Sequence, residues 1–73
     1  MPKRYSAKEI LKRLKKLGFV IVSQKGSHIK ARGIRAGLLQ TAIVPNHKEV
    51  AVGTFESILE QAKVTRSEFE NTR

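Results

Sequence analysis

The chain has no cysteine, no tryptophan and only two prolines in 73 residues. Without cysteine, neither a disulfide framework nor a thiolate zinc site can reinforce a small core, and cysteine nucleophile chemistry is excluded. No apolar run approaches the ~20 residues of a membrane span. The basic opening MPKRYSAKE leads into an amphipathic stretch rather than an apolar one, so no secretory leader is expected either. Acidic residues are scarce, six against fifteen Lys and Arg. Those of the second half fall on predicted helices or in a loop, and no His-x-x-His or Glu-x-x-His spacing occurs, so no metal ligand set is expected. The glycines form neither GxGxxG nor a phosphate loop, which leaves a nucleotide cofactor without support. The expectation is one soluble cytoplasmic domain over residues 1–73, with no cofactor and no membrane partner.

What the chain does have is positive charge, unevenly spread. Residues 1–37 carry eleven Lys and Arg against the single acid Glu9, whereas residues 38–73 carry four bases against five acids. The formal net charge of +9 is therefore a strongly basic half joined to a near-neutral one. Such asymmetry points to a directional surface for a polyanion, with nucleic acid first among the candidates and an acidic protein or a membrane surface behind it.

Ser6 to Glu9 reads as a capping box that opens a helix. Ile10, Leu11, Leu14 and Leu17 recur at helical spacing on one arc, Lys8, Lys12, Arg13, Lys15 and Lys16 fill the other, and Gly18 is a natural stop. FVIVSQ (residues 19–24) has strand composition, Lys25-Gly26 supplies a turn, and SHIKAR alternates about the second strand. GIRAG (residues 33–37) reads as a second turn and LLQTAIV (residues 38–44) as a third strand ended by Pro45-Asn46. Connections this short require an antiparallel meander. Gly53-Thr54 opens a second helix with Phe55, Ile58, Leu59 and Ala62 on its core stripe. Thr65 to Glu68 repeats the capping-box pattern ahead of a short helical tail around Phe69, and the charged ends are expected to fray. The fold class is α+β, α-β-β-β-α, with a three-stranded antiparallel sheet, both long helices on one face, and a helical tail. Ile29 and Ala31 then point inward. His28, Lys30 and Arg32 point outward, because burying unpaired cations costs several kcal/mol.

The chemistry this leaves is metal-free acid–base work on RNA, whose 2′-hydroxyl is a built-in nucleophile beside each phosphate. His28 suits the general acid/base role, and Lys25, the Gly26-Ser27 turn, Lys30 and Arg32 suit orientation and neutralisation of the phosphate. A surface histidine that only hydrogen-bonds a phosphate or a turn carbonyl is the plainer alternative. His47 reads first as a loop residue and is the only candidate for a second imidazole. Lys12, Lys15 and Lys16 extend a backbone-tracking path if Lys25, Lys30, Arg32 and Arg35 continue their sign. No aromatic is expected on the open face to stack bases, so phosphate contacts should dominate.

The combination of LKKLGF, KGSH, VPNHKE and GTFESILEQAKVTRSEF, spanning about residues 6–70, resembles the HicA-type toxins of toxin–antitoxin modules. The resemblance implies a double-stranded-RNA-binding-like fold and an mRNA interferase whose catalytic histidine is that of the Gly-x-His element, here His28; its independence of metal follows from the missing ligand set. It also implies a HicB-type antitoxin that covers the active site and represses the operon, with the toxin monomeric alone and oligomeric in complex. Such toxins arrest translation and favour growth arrest under stress. One departure stands out: many relatives have an aromatic shortly after the histidine, whereas this chain reads HIKARG. Rivals from other classes are a non-catalytic RNA-binding module and a protein-interaction domain.

Overall fold

A computed structural model describes residues 4–72. The Ser6 hydroxyl accepts the Glu9 N–H at 3.0 Å and launches helix α1 (Ala7–Lys16). The helix ends where the sequence stops it. Gly18 turns to φ 99°, its N–H reaches the Lys15 carbonyl at 3.1 Å, and the Phe19 N–H reaches Leu14 at 2.9 Å, a paired closure of orphan carbonyls that needs a left-handed residue. Strands β1 (Val20–Lys25), β2 (His28–Arg35) and β3 (Leu38–Pro45) form an antiparallel sheet in the order β1-β2-β3. Helices α2 (Val52–Ala62) and α3 (Arg66–Asn71) complete the α-β-β-β-α order with its helical tail.

The second turn is shorter than the glycines at 33 and 37 imply. β2 runs through Gly33 to Arg35, and Ala36-Gly37 alone make the turn, at φ 55° and 76°. A two-residue I′-type turn matches the twist of the strands it joins, so the ladder persists to the Arg35–Leu38 pair. Gly33 has another reason to be glycine. It is buried on the inner face, where a Cβ would lie 2.8 Å from Phe19 Cγ and 3.0 Å from the Gly18 carbonyl oxygen. The missing side chain is what lets Phe19 lie against the sheet.

The inward residues Ile29, Ala31, Ala42 and Val44 pack against Ile10, Leu14 and Ile58. Beyond them Tyr5, Phe55 and Phe69 form an aromatic cluster, with centroid separations of 5.1, 5.0 and 4.9 Å. Phe69 is fully buried, so the tail helix is a piece of the core; full burial of a Phe contributes about 1.5–3 kcal/mol. The Thr65–Glu68 capping box that begins α3 is formed in both directions. Arg13 also departs from its predicted place on the cationic back of α1. Its side chain is only 11% exposed, pairs with Glu9 at 2.7 Å, donates to the Phe69 carbonyl at 3.2 Å and lies 5.0 Å from the centroids of both Tyr5 and Phe69.

The helices cover the sheet unequally. α2 packs over β3 and β2, and α1 reaches β3, but neither packs closely on β1. Gln61 of α2 accepts the Ile43 N–H at 3.0 Å, at the outer edge of the sheet formed by β3. Every residue of β1 is exposed. Among the described residues, no helix is long and apolar enough to cross a membrane.

Candidate active site

Strand β2 sets the site by alternation. Ile29, Ala31 and Gly33 are buried against the helices, while His28 and Arg32 are exposed and Lys30 half-buried on the opposite side. His28 stands at the first position of β2, directly after the Gly26-Ser27 turn, in which Gly26 adopts φ 58°. Its cross-strand partners are Lys25 on β1 and Pro45 on β3. Directly opposed residues hold their Cβ atoms about 4.5–5.5 Å apart, so the imidazole and the Lys25 side chain leave the sheet side by side. Lys30 follows two residues along the same face, between Ser23 and Ile43. Arg32 follows Lys30, and its Nε donates to Thr41 Oγ1 across the ladder at 3.2 Å.

Lys25 reaches this face through an irregularity that the sequence does not announce. The β1–β2 register slips between Ile21 and Ser23. Ile21 opposes the inward Ala31, yet Ser23 and Lys25 oppose the outward Lys30 and His28. In an unbroken strand residues 21, 23 and 25 share one side. The extra residue, Val22, flips the remainder, so this bulge is what sets Lys25 beside His28. No composition signal marks it; Val20-Ile21-Val22 reads as an ordinary strand.

The other predicted residues divide between two places. Gly26 and Ser27 form the turn at the His28 end, and the Ser27 carbonyl accepts the Asn46 N–H at 2.6 Å, tying the turn to the exit of β3. Lys12, Lys15 and Lys16 lie on the helix side of the sheet, along a groove between α1 and β1, and not on the face that carries His28. Arg35 does not continue the open cationic face. It falls on the inner side of β2 by register, and its guanidinium pairs with Glu68 of α3. His47 is exposed in the loop after β3, in a recess shared with Ser6, Lys8 and Lys48, while its backbone carbonyl accepts the Ala7 N–H at 2.9 Å. Both histidines therefore sit at the same end of the sheet. The described aromatic rings are buried, none on the open face, where the exposed apolar residues are Val20, Ile34 and Leu39. Among the described residues, no three His or Glu side chains converge.

An exposed imidazole with a lysine at its side and two further cations in line can exchange a proton with a bound polyanion and hold its phosphates. Sequence reasoning missed two residues on which this arrangement depends: Val22, which turns Lys25 outward, and Gly33, which lets Phe19 seat the strand. No curated protein matches the chain. A family model described as the HicA toxin of bacterial toxin–antitoxin systems matches residues 7–64, which take in α1, the sheet and α2. The chain belongs to the HicA toxin family.

Proposed function

We propose that this toxin is a metal-independent endoribonuclease that cleaves mRNA, with His28 as general acid/base. The observation that carries the reading is the outward, exposed position of His28 beside Lys25, with Lys30 and Arg32 following on the same face. The α-β-β-β-α order, expected of a double-stranded-RNA-binding-like fold, supports it.

In this reaction the imidazole withdraws the proton of a ribose 2′-hydroxyl while the 2′-oxygen attacks the adjacent phosphorus. The 5′-oxygen of the next nucleotide departs and receives a proton, which gives a 2′,3′-cyclic phosphate and a 5′-hydroxyl end. A positioned histidine is worth roughly 10²–10⁴-fold in such a step. The Lys25 and Lys30 ammonium groups, with the turn amides at Gly26-Ser27, stabilise the charge that gathers on the phosphate oxygens. Lys12, Lys15 and Lys16 draw the flanking strand electrostatically from the helix side. A HicB-type antitoxin neutralises the toxin, and an acidic surface on it complements the basic half.

Purified protein incubated with RNA, followed by mapping of product ends, tests the reading. The expected products carry a cyclic or 3′-phosphate, and His28→Ala loses roughly 10²–10⁴-fold in cleavage with an unchanged melting temperature, since the ring supports no core contact. Undiminished cleavage by His28→Ala removes the histidine from the mechanism. A 3′-hydroxyl product shows water, not the 2′-oxygen, to be the nucleophile.

A further inference from the structure

We infer that the free edge of β1 and the groove beside it form a docking site for an extended polypeptide segment that adds a fourth strand to the sheet, carrying aliphatic and acidic side chains. The site lies across the sheet plane from His28. Within the toxin–antitoxin reading, the segment belongs to the antitoxin; the inference rests on that reading only for this attribution.

Three observations converge. First, β1 is an edge strand paired only with β2, and among the described residues no hydrogen bond outside that ladder reaches it. The opposite edge is treated differently, because the Gln61 side chain takes the Ile43 N–H there. An unpaired row of N–H and C=O groups is a template for a further strand. Secondly, the edge is apolar where edges are usually guarded by charge: Val20, Ile21 and Val22 are consecutive and 60%, 43% and 44% exposed. Thirdly, the groove between this edge and α1, about 700 Å³ in volume, has an aliphatic floor of Leu11, Ile21 and Ile29. One wall carries Lys8, Lys12, Lys15 and Lys16, and no acidic residue lines it.

An added strand places alternate side chains on the groove side. There, aliphatic groups meet the floor and carboxylates meet the four lysines. Its remaining side chains emerge next to Val20, Ser23 and Lys25. RNA suits the groove less well. It cannot satisfy a regular row of backbone amides, and the floor offers neither an aromatic ring nor an arginine plane for a base. A second copy of this chain is opposed by charge, since each copy would bring the same lysines to the contact.

The test is amide chemical-shift mapping of the protein against the blocked octapeptide Val-Thr-Glu-Thr-Val-Thr-Glu-Thr, whose valines and glutamates share one face of an extended strand. Saturable shifts confined to residues 11–16 and 20–25 are expected, with affinity about tenfold or more weaker when alternate peptide nitrogens are methylated or when Ile21→Glu replaces the floor. The methylated peptide keeps the result interpretable if Ile21→Glu does not fold. Equal binding of the methylated peptide, or no shifts at millimolar peptide, overturns the proposal. So does an RNA octamer that moves these same amides while the peptide does not, which assigns the groove to RNA. Dimerisation of the free protein with protected β1 amides overturns it too. None of these readouts requires RNA cleavage, so a failed peptide experiment and a failed ribonuclease assay point to different errors.

Discussion

A single methyl group added at residue 33 would sit 2.8 Å from the Phe19 ring, with the Gly18 carbonyl at 3.0 Å blocking the other direction. Neither neighbour is the free end of a flexible chain, so the strand or the ring must shift. Gly33→Ala is expected to cost about 1–3 kcal/mol, the range for overpacked cores, and a urea titration reads it as a lower midpoint at unchanged slope. Phe19→Leu in the same chain should recover part of the loss; strict additivity would show that the two positions do not press on each other. Gly33 illustrates what a single sequence conceals. Its neighbours in GIRAG read as a turn, and only the approach of a ring fourteen positions earlier gives the glycine its purpose. Arg13 is the same lesson in reverse. On the helix surface it looks solvated, but the aromatic ring and carbonyl it serves belong to Phe69, 56 positions away. The outward aim of His28, by contrast, was legible, because strict alternation with Ile29 and Ala31 leaves it no other side.

Among the elements, the helices were the most legible, since their stops and starts are written in local chemistry: Ser6, Gly18 and Thr65 perform the capping roles their types suggest. α2 is the exception at both ends: it begins at Val52, ahead of the expected Gly53-Thr54 opening, behind an Ala51 cap that offers no side-chain hydrogen bond, and its end is also unannounced. Lys63 takes φ 57°, with its N–H on the Glu60 carbonyl at 3.2 Å and the Val64 N–H on Leu59 at 3.0 Å. That is the place of a glycine occupied by a lysine, and the left-handed conformation costs an L-residue about 1–2 kcal/mol. Lys63→Gly is expected to stabilise the fold by about 0.5–1 kcal/mol once the extra chain entropy of glycine is deducted, visible as a rise in melting temperature. An unchanged or lower value would show that the lysine side chain contributes something its exposed position hides. The strands were harder to read. Apolar β-branched residues announced β1 but not its bulge, because a register slip depends on the pairing partner and not on the strand's own composition.

For the whole molecule, charge organises both stability and binding. The Glu68 carboxyl is held below its ordinary value near 4.5, first by the Thr65 backbone N–H and then by the hydrogen bond from Arg35. A carboxyl lowered in the folded state contributes stability that is complete above the unfolded value and disappears as pH falls through the folded one. Glu68→Gln should therefore be less stable than the parent at neutral pH, and the difference should shrink as the pH drops below about 4.5. Parallel melting curves of the two proteins at falling pH check this, and a gap that stays constant would remove the ion pair from the explanation. RNA binding should weaken steeply with salt, by a factor set by the number of phosphates neutralised. Removing one contacting cation, as in Lys30→Ala, should reduce the slope of log affinity against log salt by about 0.7 for single-stranded RNA; an unaltered slope would mean that Lys30 does not touch the backbone.

The edge-to-face contact of Tyr5 with Phe69, centroids 5.0 Å apart, joins near-opposite ends of the described chain, and this has a kinetic consequence. The two hairpins need only two-residue turns and can form early, whereas closing the longest loop carries the largest entropy penalty and is rewarded last. The order of assembly should thus run from the sheet outward, with the final latch fastened between the segment before α1 and α3. Loosening should begin at that latch, while the strands that display His28 are still paired.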